Sequence, residues 1–158
     1  MAVAIPVAAQ SGDFKVGFVD HERVLREAAP AVRAQKKIEQ EFSKRDQELQ
    51  AMSKQLKSLQ DAIEKTGSSM SESDRHNKER EFADINREFQ RRQREFREDL
   101  NQRRNEELAS VLERANKAIS QIAEAEKFDL ILQEAVYRSP RIDITDKVIK
   151  ALADPQSK

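Results

Sequence analysis

From residue 30 to 65, apolar side chains recur along the chain at the spacing of an α-helix. From Leu49 to Ile63 the steps are three, four, three and four residues, which is the spacing of a coiled-coil seam. Gly67 then interrupts the pattern, and glycine is the residue that most often ends a helix in a left-handed conformation. The pattern therefore predicts a long helix that ends in a turn near residue 66.

A second helical pattern follows this turn and continues to about Lys127 without a proline or a glycine. Ser69, followed three residues later by Glu72, predicts a capping box at its start. At about 1.5 Å per residue, such a helix would be about 80 Å long, which far exceeds an average globular helix.

The two predicted helices are expected to lie antiparallel. If the turn centres near residues 68–70, residues whose numbers sum to about 138 face each other. Four of the pairs that this rule brings together are apolar on both sides: Leu56 with Phe82, Leu49 with Phe89, Phe42 with Phe96, and Ile38 with Leu100. We expect these residues to form the seam of the hairpin. The bulky phenylalanines either simply pack there or leave ring edges within reach of an apolar partner.

Both ends of the chain favour short extended segments. FKVGFV, residues 14–19, alternates apolar side chains as a strand does, and Asp20 is placed to cap a short helix over 21–29. FDLILQ, residues 128–133, has consecutive apolar residues, as a strand buried on both faces would. Residues 135–144 favour one or two further extended segments, and a short helix is expected from Thr145.

These elements predict an α+β chain that is mostly α. A small β body, residues 14–29 and 128–158, holds a long antiparallel two-helix coiled-coil arm, residues 30–127, with its tip near 66–72. A few strands and two short helices make a poor independent core, so subunits are expected to share it. The residues expected to mediate this oligomerisation are Val16, Phe18, Leu130, Ile131 and Leu132.

The composition agrees with long helices that are exposed to water along most of their surface. Charged residues make up 37% of the chain, and mean hydropathy is −0.84. Basic and acidic residues balance at 29 each, so the chain has no overall positive field to attract nucleic acid. Even the arginine-rich stretch 81–100 combines five arginines with six carboxylates. We therefore expect no nucleic-acid partner.

The residues offer little to catalysis. The chain has no cysteine, and His21 and His76 lie 55 positions apart without any metal-ligand spacing. There is no glycine-rich phosphate loop, and the many carboxylates are predicted on exposed helix faces. The sequence predicts neither an enzyme nor a cofactor or metal site.

The first residues, MAVAIPVAAQSGD, combine a short apolar run with small residues at Ala8 and Ala9. This pattern predicts the remnant of an export signal over 1–13, although a disordered tail would also account for it. No run in the chain approaches the roughly 20 apolar residues that a membrane span needs.

Four sequence stretches, in their order around the hairpin, resemble the Skp/OmpH family of periplasmic chaperones. They are KVGFVD at 15–20, RRNEEL at 103–108, FDLIL at 128–132 and DITDKVIKAL at 143–152. The resemblance covers roughly residues 14 to 153. It implies a homotrimer in which a shared β-barrel body holds helical arms around a central cavity. It further implies a holdase that binds unfolded outer-membrane β-barrel proteins without ATP.

The resemblance also implies a lipopolysaccharide or membrane-surface contact through basic arm residues, which match Arg92, Arg103 and Arg104 here. Ordinary helix-face arginines account for these positions equally well. Members of the family are often markedly basic whereas this chain is neutral, so client capture through charge alone is not expected.

Two other classes stay open at this point. A structural coiled-coil spacer would explain the heptads, but it would not explain paired strands at the chain ends. A cytosolic holdase of the prefoldin kind also uses helical hairpins, but it places its strands between the helices. Here the connection between the helices is only a few residues long.

Overall fold

The computed structural model describes residues 14–66 and 69–153. Two long helices dominate it, α2 over Ala29–Thr66 and α3 over Glu72–Glu126. The shorter elements are β1 over Val16–Phe18, α1 over His21–Glu27, β2 over Leu130–Leu132 and α4 over Thr145–Ala153, with a single 3₁₀ turn at Pro140–Ile142. The predicted class, α+β and mostly α, is confirmed.

The chain divides into two compact units. The body unit contains the described parts of Met1–Val32 and Leu108–Lys158, and the hairpin unit is Arg33–Glu107. The division therefore lies at Val32 and Leu108, whereas the sequence pattern placed it near residues 30 and 127. The difference arises because the last turns of α3 bury Val111, Ala115 and Ile119 in the body unit, and a period pattern does not reveal that change of partner.

The body unit contains a parallel two-stranded sheet. Val16 pairs with Leu130, and the pairing continues through Gly17 with Ile131 and Phe18 with Leu132. The backbone N–H of Val19 donates to the carbonyl of Leu132 at 2.9 Å and so extends this ladder. The expectation that the terminal strands meet is thus correct.

The prediction of one or two further extended segments over residues 135–144 is mostly wrong. Residues 135–144 form no strand; they contain the 3₁₀ turn Pro140–Ile142, which begins where the Ser139 hydroxyl accepts from the N–H of Arg141. Asp143 makes a single parallel bridge to Phe18, and the N–H of Ile144 donates to the Phe18 carbonyl at 2.9 Å. The 3₁₀ turn ends directly before Asp143 and α4 begins at Thr145, so the pairing stays at one residue.

The body core lies between α1, the end of α3, and α4. Val19, Val24, Ala28, Ala115 and Val148 have no exposed surface. The amphipathic spacing of α4 places Val148 and Leu152 on one face, four residues apart, against this core. The core is built from one stripe of each helix and the inner side of the sheet.

Strand β2 is not buried on both faces, contrary to the expectation. Ile131 contacts the core, but Leu130 and Leu132 are 43% and 37% exposed. In a parallel pair, residues directly opposite each other share a face, and successive residues alternate between faces. The consecutive apolar residues of this strand therefore cover one buried and one open face.

Local hydrogen bonds fix the ends of the helices. The Asp20 carboxylate accepts from the N–H of Arg23 at 3.0 Å and caps α1, as predicted. At the end of α3, Lys127 adopts a left-handed conformation with φ of 56°. The N–H of Phe128 donates to the Ala123 carbonyl and that of Lys127 to the Glu124 carbonyl, the two bonds of a Schellman motif. Here lysine occupies the position that glycine usually takes.

In the hairpin unit, α2 and α3 pack antiparallel. The rings of Phe42 and Phe96 meet edge to face with their centroids 5.5 Å apart, so the register is confirmed at this pair. Two ion pairs also join the helices, Lys37 with Glu107 and Arg45 with Asp99. The other predicted seam residues are half-buried: Ile38, Leu49, Leu56, Phe82, Phe89 and Leu100.

The start of α3 differs from the prediction by two residues. Ser71 provides the cap: its hydroxyl accepts from the N–H of Asp74 at 3.1 Å and donates to the Asp74 carboxylate at 2.6 Å. Ser71 and Asp74 therefore form the cap of α3 that was expected from Ser69 and Glu72. Gly67, the expected helix stop, lies outside the described residues.

Candidate functional surfaces

The open side of the two-stranded sheet is the first candidate surface. By the register of the two strands, the side opposite Ile131 carries Val16, Phe18, Leu130 and Leu132, and Phe14 continues the same alternation just before the strand. Phe14 is 68% exposed. Phe18 is buried on this side, so we call the other four residues, Phe14, Val16, Leu130 and Leu132, the outer sheet face. Apolar side chains on a short, open sheet face are typical of a surface that another chain covers.

Two of the residues expected to mediate oligomerisation are used within the chain itself. Ile131 packs on the body core, and a Cβ placed at Gly17 would lie 3.3 Å from its Cγ1. Phe18 is 3% exposed, and the Arg138 guanidinium lies over its ring, 4.4 Å from the centroid. Leu130, Leu132 and Val16 are the predicted residues that the structure brings together on an open face.

Arg138 belongs to a polar network that joins three distant segments. It forms ion pairs with Asp20 at 3.3 Å and with Asp143 at 3.1 Å. Asp143 also accepts from the N–H and the hydroxyl of Thr145, and the Asp20 N–H donates to that hydroxyl at 2.9 Å. Burial opposes ionisation of Asp143, but the Thr145 hydrogen bonds and Arg138 hold its pKa below the ordinary value.

Val136 and Tyr137 precede Arg138 and are among the most exposed apolar residues, with Tyr137 at 83%. Sequence reasoning missed them, because it assigned them to an extended segment without a role. The signal available was an aromatic and a β-branched residue together in a stretch that lacks helical periodicity. They add apolar surface next to the residue that covers Phe18.

The hairpin seam is the second candidate surface. Side by side, two helices share only one stripe, and among the described residues of the hairpin unit only Leu59 is buried. The seam opens into a cleft of about 220 Å³, which we call the seam cleft. Its lining consists of Arg45, Glu48, Leu49, Arg91, Arg92, Glu95 and Phe96.

Ion pairs surround the seam cleft. The Glu88 carboxylate accepts from Arg91 and from Arg92, which lowers its pKa to about 2. Arg91 also donates to Glu95 at 2.6 Å, so each of its three nitrogens makes a hydrogen bond, and its pKa is raised. Arg92 reaches Glu48 only at 3.5 Å.

The three arginines expected to contact lipopolysaccharide do not converge. Arg103 binds Glu41 at 2.9 Å and Glu106 at 3.1 Å, and it also donates to Glu107. These interactions, the hydrogen bond to Glu41 above all, raise the pKa of Arg103. Arg104 is exposed, and Arg92 lies about 17 Å from Arg103 along the helix at about 1.5 Å per residue. They therefore do not form one cluster.

Within residues 14–66 and 69–153, no three side chains are grouped to hold a metal ion. In the same residues, no helix combines the length and apolar character needed to cross a membrane. His21 begins α1, and His76 lies in the second turn of α3, in a shallow depression whose described lining belongs to that helix.

Comparisons with known proteins agree with this architecture. A solved structure of a candidate outer membrane chaperone (OmpH-like) from Caulobacter crescentus CB15 superposes with a TM-score of 0.72. The match has 17% sequence identity and covers 96% of this chain and 86% of that one, so it establishes the fold. No curated protein gives a significant match. The model of the family described as outer membrane protein (OmpH-like) matches residues 15–152, and the chain therefore belongs to the OmpH-like family.

Proposed function

We propose that the protein is an ATP-independent holdase chaperone of the periplasm. It would bind unfolded outer-membrane β-barrel proteins in a cavity between helical arms and keep them from aggregating before membrane insertion. The observation that supports this most is the half-buried phenylalanine seam of the hairpin unit, bordered by charges of both signs. Such a surface offers many weak apolar and ionic contacts, which together give useful affinity without selecting one sequence.

The proposal includes a homotrimer built around the β body. Supporting it is the outer sheet face, where Leu130, Leu132 and Phe14 are exposed in the single chain. Strand β2 is three residues long and pairs on one side with β1, and a two-stranded sheet is marginal by itself. A shared barrel would cover this face and pair the open edge. Residues 1–13, proposed to be the remnant of an export signal, lie outside the described residues.

The ion pairs of Arg92 and Arg103 decide which arginine is available for the proposed lipopolysaccharide contact. Arg103 is held by three carboxylates, and a phosphate would have to displace them. Arg92 is held by Glu88 at 2.7 Å. Arg104, which is exposed, is therefore the arginine of the three best placed for a phosphate.

Dilution of a urea-unfolded outer-membrane barrel protein into buffer tests the holdase function. With the purified chain present, we expect light scattering to stay low, equally with and without ATP, and with weak dependence on salt. A structural spacer would leave the aggregation unchanged. A loss of protection by orders of magnitude between about 50 and 200 mM salt would instead indicate electrostatic capture.

Sedimentation tests the trimer. Leu130→Asp and Leu132→Asp place charges on the outer sheet face, where a single chain tolerates them because both side chains reach solvent. We expect each to shift the protein from trimer to monomer while the helical circular-dichroism signal is kept. Gln133→Asp introduces the same charge at an exposed residue directly after β2 and is the matched control. An intact trimer in both leucine variants would remove the outer sheet face from the interface.

A further inference from the structure

We infer that the seam cleft binds an aromatic side chain that lies next to a carboxylate in an extended client segment. This inference rests on the proposed holdase function and specifies one contact by which it is exerted. The occupant follows from three properties of the cleft: its size, its floor and the free hydrogen-bond donors at its rim.

The size of the seam cleft fits part of a chain rather than a whole small molecule. Its volume of about 220 Å³ is below the range of about 300–1,000 Å³ that is usual for small-molecule sites. The floor is formed by Leu49 and Phe96, which are half-buried and belong to different helices. A flat aromatic ring can contact both side chains at once. The chemistry of the floor thus selects one large apolar side chain.

Arg45 gives the cleft a preference for aromatic over aliphatic side chains. Its guanidinium lies 5.6 Å from the centroid of Phe42 and 5.7 Å from that of Phe96, so it already borders two rings. A third ring entering the cleft would meet the same cation, and a guanidinium is attracted to the face of an aromatic ring. A leucine of similar volume would gain burial alone.

Arg45 and Arg92, at the rim of the cleft, have unused hydrogen-bond donors, and these favour a carboxylate in the bound segment. Arg45 uses Nη1 for Asp99 at 2.7 Å, and its other nitrogens make no hydrogen bond with the described residues. Arg92 binds Glu88 through Nε, while its Nη1 contact with Glu48 is 3.5 Å long. A client carboxylate that enters the cleft can therefore accept from the unused N–H groups of either arginine without breaking its pair with Asp99 or Glu88. Charge-assisted hydrogen bonds of this kind are the stronger ones available in water.

Short glycine–serine peptides with a Trp–Asp, Trp–Lys or Leu–Asp pair test the inference on the full chain. The chain contains no tryptophan, so indole fluorescence reports the bound peptide without background; a dansyl label follows all three peptides alike. We expect Trp–Asp to bind about tenfold more tightly than Trp–Lys or Leu–Asp. Equal affinity of the three peptides would overturn the inference.

Two variants locate the binding. Arg45→Gln removes the cation that borders the two rings and one of the two donors for the carboxylate, while Arg91 and Arg92 remain in the lining. We expect it to reduce the preference of the protein for Trp–Asp over both Trp–Lys and Leu–Asp. Lys44→Gln makes the same charge change one residue away, outside the lining, and is expected to keep the preference. The same response in both variants would place the peptide elsewhere and overturn the inference. Phe96→Leu keeps an apolar floor without a ring, and it should weaken Trp–Asp binding more than Leu–Asp binding.

Two further measurements separate the alternatives. Binding to vesicles of anionic phospholipid that depends on Arg45, without discrimination among the peptides, would make the cleft a lipid site and overturn the inference. In the barrel-dilution assay, wild-type protection without peptide discrimination would defeat this inference and leave the proposed function standing. Peptide discrimination without protection of the barrel would defeat the proposed function and leave the cleft established as a peptide site.

Discussion

The body unit and the hairpin unit are stabilised in different ways by the same chain. In the body, Val19, Val24 and Val148 have no exposed surface, and even the buried Thr145 has its hydroxyl fully engaged. In the described hairpin unit, Leu59 is the one residue that counts as buried. Geometry explains this difference, because several layers enclose a core whereas two helices side by side share one stripe. The hairpin depends instead on many half-buried contacts and on ion pairs between its helices.

This contrast suits the two proposed roles. A body that holds subunits together needs a unique arrangement, which close packing and satisfied buried polar groups provide. A surface that receives different unfolded chains needs accessible apolar groups and adaptable charges. The half-buried seam and the exposed ion pairs of the hairpin unit supply both.

The largest effect is expected on the free energy of unfolding when leucine is replaced by alanine in each of the two units. Leu152→Ala removes a side chain that is 3% exposed and should lower the free energy of unfolding of the body by about 2–5 kcal/mol. Leu49→Ala removes a half-buried side chain and should cost about 1 kcal/mol, because water fills the space left. Urea denaturation followed by circular dichroism measures both. Equal losses would contradict the contrast between the units.

The second effect concerns the buried polar group. Thr145→Val keeps the shape of the side chain but leaves the Asp20 N–H without its acceptor, which should cost about 1–3 kcal/mol. Thr145→Ser, which retains the hydroxyl, should recover much of that loss. Ser71→Ala, at the exposed cap of α3, is the counterpart in the hairpin unit and should cost about 1 kcal/mol or less. Thermal unfolding ranks the three variants.

The hairpin was more predictable from sequence than the body. Its long helices follow from periodicity, and the pairing of Phe42 with Phe96 follows from counting outward from the turn. Both depend only on local spacing. The cap at Ser71 instead of Ser69 shows the usual uncertainty at helix ends, since both serines precede an acidic residue by three positions.

The body depends on contacts between distant segments, and local spacing does not encode them. Consecutive apolar residues in β2 indicated burial on both faces, but only Ile131 meets the core of its own chain. The role of Arg138 could not be predicted without the contact of its guanidinium with the ring of Phe18. The seam cleft could not be predicted without the side-chain positions of both helices. The surface arginines were found by resemblance, whereas the pair of Arg103 with Glu41 on the other helix became visible only in the fold.

A smaller effect tests the aromatic pair of the seam. A double-mutant cycle with Phe42→Leu and Phe96→Leu separates the edge-to-face contact from burial, because leucine retains most of the apolar surface. The rings lie 5.5 Å apart at 83°, a geometry worth about 0.5–1.5 kcal/mol beyond burial. We expect a coupling energy in that range from chemical denaturation. Phe82→Leu combined with Phe96→Leu, two residues on the same helix and far apart, should be additive.

The smallest effect is the acid response of the hairpin unit, which its exposed ion pairs determine. Hydrogen bonds from Arg91 and Arg92 lower the pKa of Glu88 from its ordinary 4.5 to about 2. A carboxylate whose pKa is lower in the folded state stabilises the protein above its unfolded pKa, and this contribution is lost as the pH falls through the folded pKa. The stabilisation by Glu88 should therefore be complete at neutral pH, decline below about 4.5 and vanish near pH 2.

Glu88→Gln should accordingly unfold at lower urea than the wild type at neutral pH, by a small margin, since the group is exposed and screened by solvent. Because protonation removes the same charge in the wild type, the two curves should converge as the pH approaches 2. Glu98→Gln makes the same change on the same helix at an exposed residue without an ion pair to the described chain, and it should follow the wild type throughout. A gap between wild type and Glu88→Gln that persists unchanged at low pH would mean that packing, rather than the charge of Glu88, stabilises this part of the hairpin.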